Sequence, residues 1–482
     1  MTANIKERAG KSSYDAVVIG SGANGLSAGI TLAASGMSVL IVEAKSTIGG
    51  ACRTLPLTLP GFKHDICSSV YPLAIGSPFF RTLPLEKYGL KWIHPEFPFA
   101  HPFDDGTAVI FHRSIEKTAA FLEEDSAAYR KLFGGLNPDW DELSSVLLKP
   151  PHMLKHPFGL AHFGMKALMS ARTLVERKFR GRKARALFTG VAAHSALRME
   201  DPASAAFGLV LSIAGHCVGW PFPEGGAQSL TDALVAHFHS LGGEIVSECE
   251  VESLDDLPQS KLVLCDITPR QLLKIAGDKL PALFKQQLSR FNYGPGSFKV
   301  DWALDAPVPW KNEAVCKSGT IHIGGTMEEI ASAEAQVVRG EHPERPYVLL
   351  AQTSLFDPTR APQGKHTLWG YSHVPNGSTF DMTERMEEQI ERVAPGFRKI
   401  VLQRSILPPM AMQEKNANHI GGDINGGALN LGQMFTRPNI RAIPYSTPIP
   451  GLYLCSSSTP PGGGVHGMPG WYAAQCALHN WR

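Results

Sequence analysis

The residue types that could do chemistry gather near the two ends of the chain. Close to the amino terminus, Gly20, Gly22 and Gly25 stand in the spacing G-x-G-x-x-G, with Ser21, Ala23 and Asn24 between them, and an acid, Glu43, follows downstream. Each part has a physical use for a ligand built from phosphates and ribose. Gly20 permits a tight turn, Gly22 brings bare backbone against a pyrophosphate, and Gly25 lets a helix pack closely on a strand. The helix that starts there offers unpaired N–H groups and the positive end of its dipole to the phosphates. Glu43 lies near the spacing at which such sites accept a hydrogen bond from a ribose hydroxyl. Three glycines alone specify only a turn. Here they are flanked by a β-rich run from Asp15 to Ile19, a helical stretch from Leu26 to Ser35 with Gly36 as its C-cap, and a second strand from Ser38 to Val42. Strand, glycine turn, helix, strand and acid together predict a βαβ unit that binds a dinucleotide.

A few residues past Glu43 and Ala44 comes a second glycine pair, Gly49 and Gly50, followed by Ala51, Cys52, Arg53 and Thr54. This resembles the "GG" motif of flavin enzymes of the glutathione-reductase and amine-oxidase type, which implies FAD rather than NAD. At the other end, a strand-like run from Gly451 to Cys455 enters Ser456, Ser457, Ser458, Thr459, Pro460 and Pro461. The glycine loop Gly462, Gly463, Gly464, Val465, His466 and Gly467 follows, then Met468 and Pro469, and a helical segment from Trp471 to His479. Strand, glycine loop and helix again suit a flat or anionic ligand lying on backbone. The run GLYLCSSSTPPGGGVHGMPGWYAA resembles the C-terminal flavin motif of the phytoene desaturase-related FAD oxidoreductases, in their phytoene dehydrogenase-like branch. The segments PEGGAQSL, SLFDPTRAP and HIGGDINGG resemble that branch as well, so the likeness runs from Tyr14 to the end.

The resemblance implies that Gly463, Gly464, Val465, His466 and Met468 run beside the isoalloxazine ring, and that Val251, in the strand-like ECEVESL, sets its backbone against the adenine. Ser456 and Ser457 stand where many relatives carry Gly-Asp, so hydroxyls and backbone amides would take over the anchoring of the ribityl-phosphate end. It also implies an FAD-dependent oxidoreductase acting on C–C bonds of an apolar, isoprenoid- or carotenoid-like substrate by hydride transfer to flavin N5. Only one such βαβ unit is visible, which points to oxygen or a quinone as the electron acceptor. His466 is the one titratable residue inside the flavin loop and is the candidate proton-transfer group; the competing role is to brace the loop. His194, His216 and Trp220 are candidate pocket residues from their place near a domain junction. Three other readings stay open: an isomerase or saturase using reduced flavin on a similar lipid, an amine oxidase, and a non-catalytic FAD-stabilised binding protein.

These residues need a scaffold that joins both ends. The expected fold class is α/β, a Rossmann-type FAD-binding domain of the glutathione-reductase/amine-oxidase type with a second α+β substrate domain. The FAD-binding domain is expected to be discontinuous, over 1–75, 205–290 and 415–482, with the substrate domain over 76–204 and 291–414. Residues 298–304 and 347–351 read as strands and 115–200 as mainly helical. With 482 residues and 43% apolar content, the chain is long enough for two such cores. Its net charge of +2 argues against a dedicated nucleic-acid binder. The basic, apolar-interleaved segment 149–185 carries ten Lys or Arg and one acid, Glu176. It reads as a solvated helix face or as a surface that docks on anionic lipid. The eight cysteines include no C-x-x-C pair and the histidines no H-E-x-x-H, so no metal site is expected. Reduced thiols, a polar amino terminus and the short apolar run 203–218 predict a cytoplasmic protein without a membrane span, peripheral at most on the inner face of a membrane.

Overall fold

The computed structural model describes residues 5–135, 140–150 and 161–481. Two sheets divide the work. The first has five parallel strands in the order Leu452–Leu454, Gln259–Cys265, Ser13–Ile19, Val39–Val42, Glu244–Val246. Parallel strands are covered on both faces, which is why VLIV at 39–42 is apolar without alternation and wholly buried. Ala16, Val18, Ile41 and Leu264 pack towards helices Ala23–Ala33, Ala227–Ser240 and Met468–Trp481. Val17, Ile19, Leu40 and Val42 pack towards Pro269–Ala276 and Ala282–Ser289. Both chain ends thus meet in one sheet.

The glycine turn is tighter than its spacing suggested. The helix starts at Ala23 with Gly22 as N-cap, not at Leu26, and ends at Ala33, so Gly25 lies inside its first turn. A Cβ on Gly25 would stand 2.0 Å from the Gly20 carbonyl oxygen, a backbone contact that no side-chain adjustment relieves. The C-terminal helix likewise starts at Met468 rather than Trp471, with Pro469 in its first turn, where the missing N–H costs nothing. Around Val251 no strand forms; the strand ends at Val246, and a short 3₁₀ turn, Leu254–Asp256, leads directly into Gln259–Cys265.

The second sheet has seven strands in the order Val401–Leu407, Gly296–Leu304, His366–Val374, Val348–Ala351, Ser318–Ile323, Phe97–Pro102, Ala108–Phe111. Its pairs are antiparallel except Ser318–Ile323 with Phe97–Pro102. One face, with Phe298, Val300, Trp302 and Leu350, packs on helix Thr383–Val393 through Met386 and Ile390. The opposite face, carrying Leu349, Trp369 and Tyr371, meets the helical layer that includes Arg182–Ala192 and Ser204–Cys217. Within the basic segment, residues 151–160 lie outside the described residues. Phe163, Leu174, Val175 and Phe179 are core, whereas Met165 and Leu168 are exposed. Part of its positive charge is offset: Arg172 pairs with Glu176 and Glu200, Arg182 with Asp105 and Lys183 with Glu123. Among the described residues no helix is long and apolar enough to cross a membrane.

Candidate functional site

A cavity of about 780 Å³ runs between the two sheets, within the size range of cofactor and ligand sites. At one end its wall is the glycine turn, with Gly20, Gly22, Ala23, Asn24, Glu43 and Ala44, joined by Val251. Further along come Gly50, Ala51 and Arg53, then Ser456, Ser457, Gly463, Gly464 and Val465 from the C-terminal strand and loop. The two glycine loops touch: Gly50 has φ +57°, and a Cβ there would meet Gly22 Cα at 3.0 Å. Arg53 locks this junction. It is buried, and it donates to Gly50 O at 2.7 Å, Thr47 Oγ1 at 2.9 Å and Lys415 O at 2.8 Å.

This cradle suits a dinucleotide. No side chain caps the helix that starts at Ala23, so its first N–H groups can be met by an anion. Asn24 donates from Nδ2 to Ser457 Oγ at 3.3 Å, while its buried Oδ1 has no partner among the described residues. Glu43 accepts from Ser21 N–H at 3.0 Å and from Lys45 N–H at 2.9 Å, so the acid also ties the second strand to the glycine turn.

Five sequence candidates do not line the cavity: Gly25, Gly49, His216, His466 and Met468. Gly25 lies behind the turn, and Gly49 donates its N–H to Ser21 Oγ at 3.2 Å. His466 is buried; its Nδ1 accepts from Met468 N–H at 3.2 Å, and its carbonyl accepts from Ser77 Oγ at 2.6 Å. Burial pushes its pKa down to about 4. The ring therefore joins the glycine loop to the start of the last helix, and Met468 N–H is taken up in doing so. His216 also stands off the cavity, held by Tyr129 Oη at 2.9 Å and Arg113 O at 3.0 Å, whereas His194 and Trp220 line it.

The far wall holds residues the sequence did not single out. Ser297 and Lys299 on one strand, and Trp369 and Tyr371 on the next, face the cavity. Lys299 is ion-paired to Asp301, both essentially fully buried. Burial pushes the Asp301 carboxyl up to about 6, even though Lys299 pulls it down. His64 Nδ1 stands 3.6 Å from Asp301, and its pKa falls to about 3 through burial and the nearby cations Lys299 and Arg360. Asp65 pairs with Arg360 at 2.8 Å. The only hint in the sequence was the alternation Phe298, Lys299, Val300, Asp301, Trp302, which ordinarily marks a strand with one wet face. Asp266 is the second omission: it ends the strand Gln259–Cys265 at the glycine turn and accepts Gly25 N–H at 2.9 Å.

A family model described as an NAD(P)-binding Rossmann-like domain matches residues 18–82. The chain is 26% identical to the rat pyridine nucleotide-disulfide oxidoreductase domain-containing protein 2, over 98% of this chain and 94% of that protein. It is 24% identical to a lycopene-forming phytoene desaturase of Pseudescherichia vulneris, over 94% and 96% of the two chains. Cyclohexylamine oxidase from Brevibacterium oxydans shares the fold, with a TM-score of 0.60 at 18% identity over 97% of this chain and 100% of that one. The chain's homologues are oxidoreductases, and it is an oxidoreductase with a Rossmann-type dinucleotide-binding domain. Within that class its homologues include the pyridine nucleotide-disulfide oxidoreductase domain protein and the phytoene desaturases.

Proposed function

We propose that the chain is an FAD-dependent dehydrogenase that desaturates a C–C bond of an apolar, isoprenoid-like substrate. The observation that carries this is the continuity of one cavity from the dinucleotide cradle to an apolar chamber walled by Phe207, Leu211, Trp220, Leu349 and Trp369. Gly20, Gly22, Ala23 and Asn24 would hold the pyrophosphate, Glu43 the ribose and Val251 the adenine. Gly50, Ala51, Arg53, Gly464 and Val465 would frame the ring. FAD, when bound, supplies the two-electron acceptor that takes the hydride. We infer oxygen or a quinone as the final acceptor, because a single parallel dinucleotide-type sheet is present among the described residues.

The chain's own part is to orient an apolar molecule, keep out water and take up the proton left behind. His194 is the group we assign to that proton. Its Nε2 lies 3.0 Å from His322 Nε2, and its Nδ1 has no hydrogen-bond partner among the described residues on the cavity wall. Burial pushes its pKa down to about 3, so the ring is a neutral base at the start of turnover. On receiving a proton at Nδ1, it can pass one from Nε2 to His322. Ala196, with φ +53°, fixes the turn that presents it, the kind of local strain that accumulates at functional sites. His466 is assigned to bracing rather than proton transfer.

The experiment is an absorption spectrum of the purified protein, followed by anaerobic titration with separate panels of isoprenoid polyenes, their alcohols and primary or cyclic amines. Bleaching by an isoprenoid supports the reading; bleaching by amines alone turns it to amine oxidation, and a colourless protein that binds no FAD refutes it. We further infer that Met165 and Leu168, with exposed Arg177, Lys178 and Arg180 nearby in the chain, dock on anionic lipid. The helix Ala161–Ala167, which carries Met165 and ends just before Leu168, packs on Ser204–Cys217, which carries the cavity residues Phe207 and Leu211. Salt-sensitive co-sedimentation with phosphatidylglycerol vesicles tests this, and no binding at low salt removes it.

A further inference from the structure

We propose that dinucleotide binding at this site is coupled to the uptake of one proton, held by Asp266. The inference rests on the cofactor reading above and concerns a residue that reading did not use. Asp266 lies on the cavity wall beside the glycine turn. One carboxyl oxygen, Oδ2, accepts Gly25 N–H at 2.9 Å, and a Cβ on Gly22 would stand 2.6 Å from that same oxygen. The carboxyl therefore sits among the N–H groups that a diphosphate would use. It is about 95% buried, and no Lys, Arg or His lies within ion-pair distance of it among the described residues.

No cation acts on its charge: Arg270 and Lys274 of the following helix, Pro269–Ala276, line the same cavity, but what acts on Asp266 is burial, Gly25 N–H and Glu43. From the second strand comes Glu43, whose charge opposes ionisation of Asp266. From the adjoining strands and the second glycine loop come the thiols of Cys265, Cys455 and Cys52, all pushed upward by burial and neutral at ordinary pH. From residues 412–420 comes Asn418, which donates Nδ2 to the Asp266 carbonyl at 2.8 Å. The glycine-turn helix contributes only backbone. Burial pushes the Asp266 carboxyl up to about 7, with Glu43 adding to the rise. An anionic diphosphate placed against the same N–H groups adds a second negative charge at close range and disfavours the carboxylate further.

The sign follows by linkage. The bound state holds the proton at a pH where the free protein has lost it, so affinity is flat below about pH 6 and falls above pH 7 by about tenfold per pH unit. FAD and ADP share the diphosphate, so both should show the slope, whereas riboflavin lacks it and should not.

The test measures dissociation constants of FAD, ADP and riboflavin for flavin-stripped protein between pH 5.5 and 9, for wild type and Asp266→Asn. Calorimetry in two buffers of different ionisation enthalpy counts the protons taken up at pH 8. The expected result is a tenfold-per-unit loss for FAD and ADP in wild type, with close to one proton taken up. In Asp266→Asn the slope and proton uptake vanish and FAD binds about tenfold or more tightly at pH 8. Asp266→Leu, which is isosteric but cannot accept from Gly25 N–H, serves if the Asn variant misfolds, and should be equally flat. FAD affinity that is independent of pH in wild type, or a slope that survives in the variants, overturns the inference and leaves the cofactor reading intact. No FAD binding at any pH overturns both.

Discussion

Lys299→Met isolates what the buried ion pair on the far cavity wall does for stability. The lysine and its partner Asp301 are 1% and 0% exposed, so neither charge is screened by solvent. In the wild type, Asp301 already titrates near pH 6 because burial raises it. Its folded-state pKa is above the unfolded one, so this group costs stability as pH rises from about 4 towards 6, and the cost is then constant. Removing Lys299 removes the chief influence holding the carboxyl down. The folded variant then keeps its proton to a higher pH, and the cost continues to grow beyond pH 6 by about 1.4 kcal/mol per pH unit. Below pH 6 the variant should differ from wild type by little more than packing, since methionine replaces most of the lysine stem. At pH 8 it should be less stable by about 3 kcal/mol, at the lower end of the range for breaking a buried pair. Lys299→Met/Asp301→Asn should remove the part that grows with pH. The assay is denaturant unfolding followed by tryptophan fluorescence at pH 5.5, 7 and 8, on flavin-stripped protein. His64 stays neutral in the folded protein over this range, its pKa pushed down to about 3. The unfolded chain protonates it below about pH 6.5, so it makes wild type and variant alike gain stability between pH 5.5 and 7, a slope that cancels in their difference. A penalty independent of pH, or one that persists in the double variant, would refute the argument.

Three further outcomes are expected. Gly22→Val should reduce FAD binding below detection, because even its Cβ would stand 2.6 Å from Asp266 Oδ2 and its branches would fill the cradle; equilibrium dialysis against FAD checks this. His466→Ala should lower thermal stability and FAD affinity together while turnover per bound flavin stays within about threefold of wild type. Full FAD occupancy with turnover lost by the ~10²-fold or more typical of a missing proton-transfer group would return His466 to catalysis. His194→Gln should leave FAD binding and melting unchanged and slow anaerobic bleaching by ~10²–10⁴-fold; unchanged bleaching removes His194 as the proton acceptor.

The glycine turn was legible in the sequence because its geometry is local. Gly20 and Gly25 press on each other within a few residues, while Gly22 also faces Asp266 far along the chain, and the flanking apolar runs read as buried strands. The C-terminal loop was legible for the same reason, down to Pro469 at the helix start. Sequence could not supply the register: whether the helix starts at Ala23 or Leu26 depends on how closely the turn folds back, a matter of about one turn of backbone. Nor could it supply direction. His466 sits in the middle of a flavin-type loop, yet its ring turns inward to Met468 N–H, because the chain on either side decides where a buried imidazole finds its partners.

Lys299 and Asp301 mark the limit most sharply. In sequence, charges alternating with Phe298, Val300 and Trp302 describe a strand with water on one side, since period two fixes only which residues share a face. What lies over that face is set by strands and helices hundreds of residues away. Here His64, Asp65 and Arg360 gather round Asp301, and two charges that would have been solvated become a buried pair on a cavity wall. Asp266 followed the same rule, as an ordinary strand-end acid until the fold brought Gly25 and Glu43 against it. Spacing along the chain determined that this protein has a dinucleotide-type turn and two glycine loops. Only the tertiary structure decided which polar groups share the dry space between them, because desolvation is a property of everything packed around a group rather than of its neighbours in sequence.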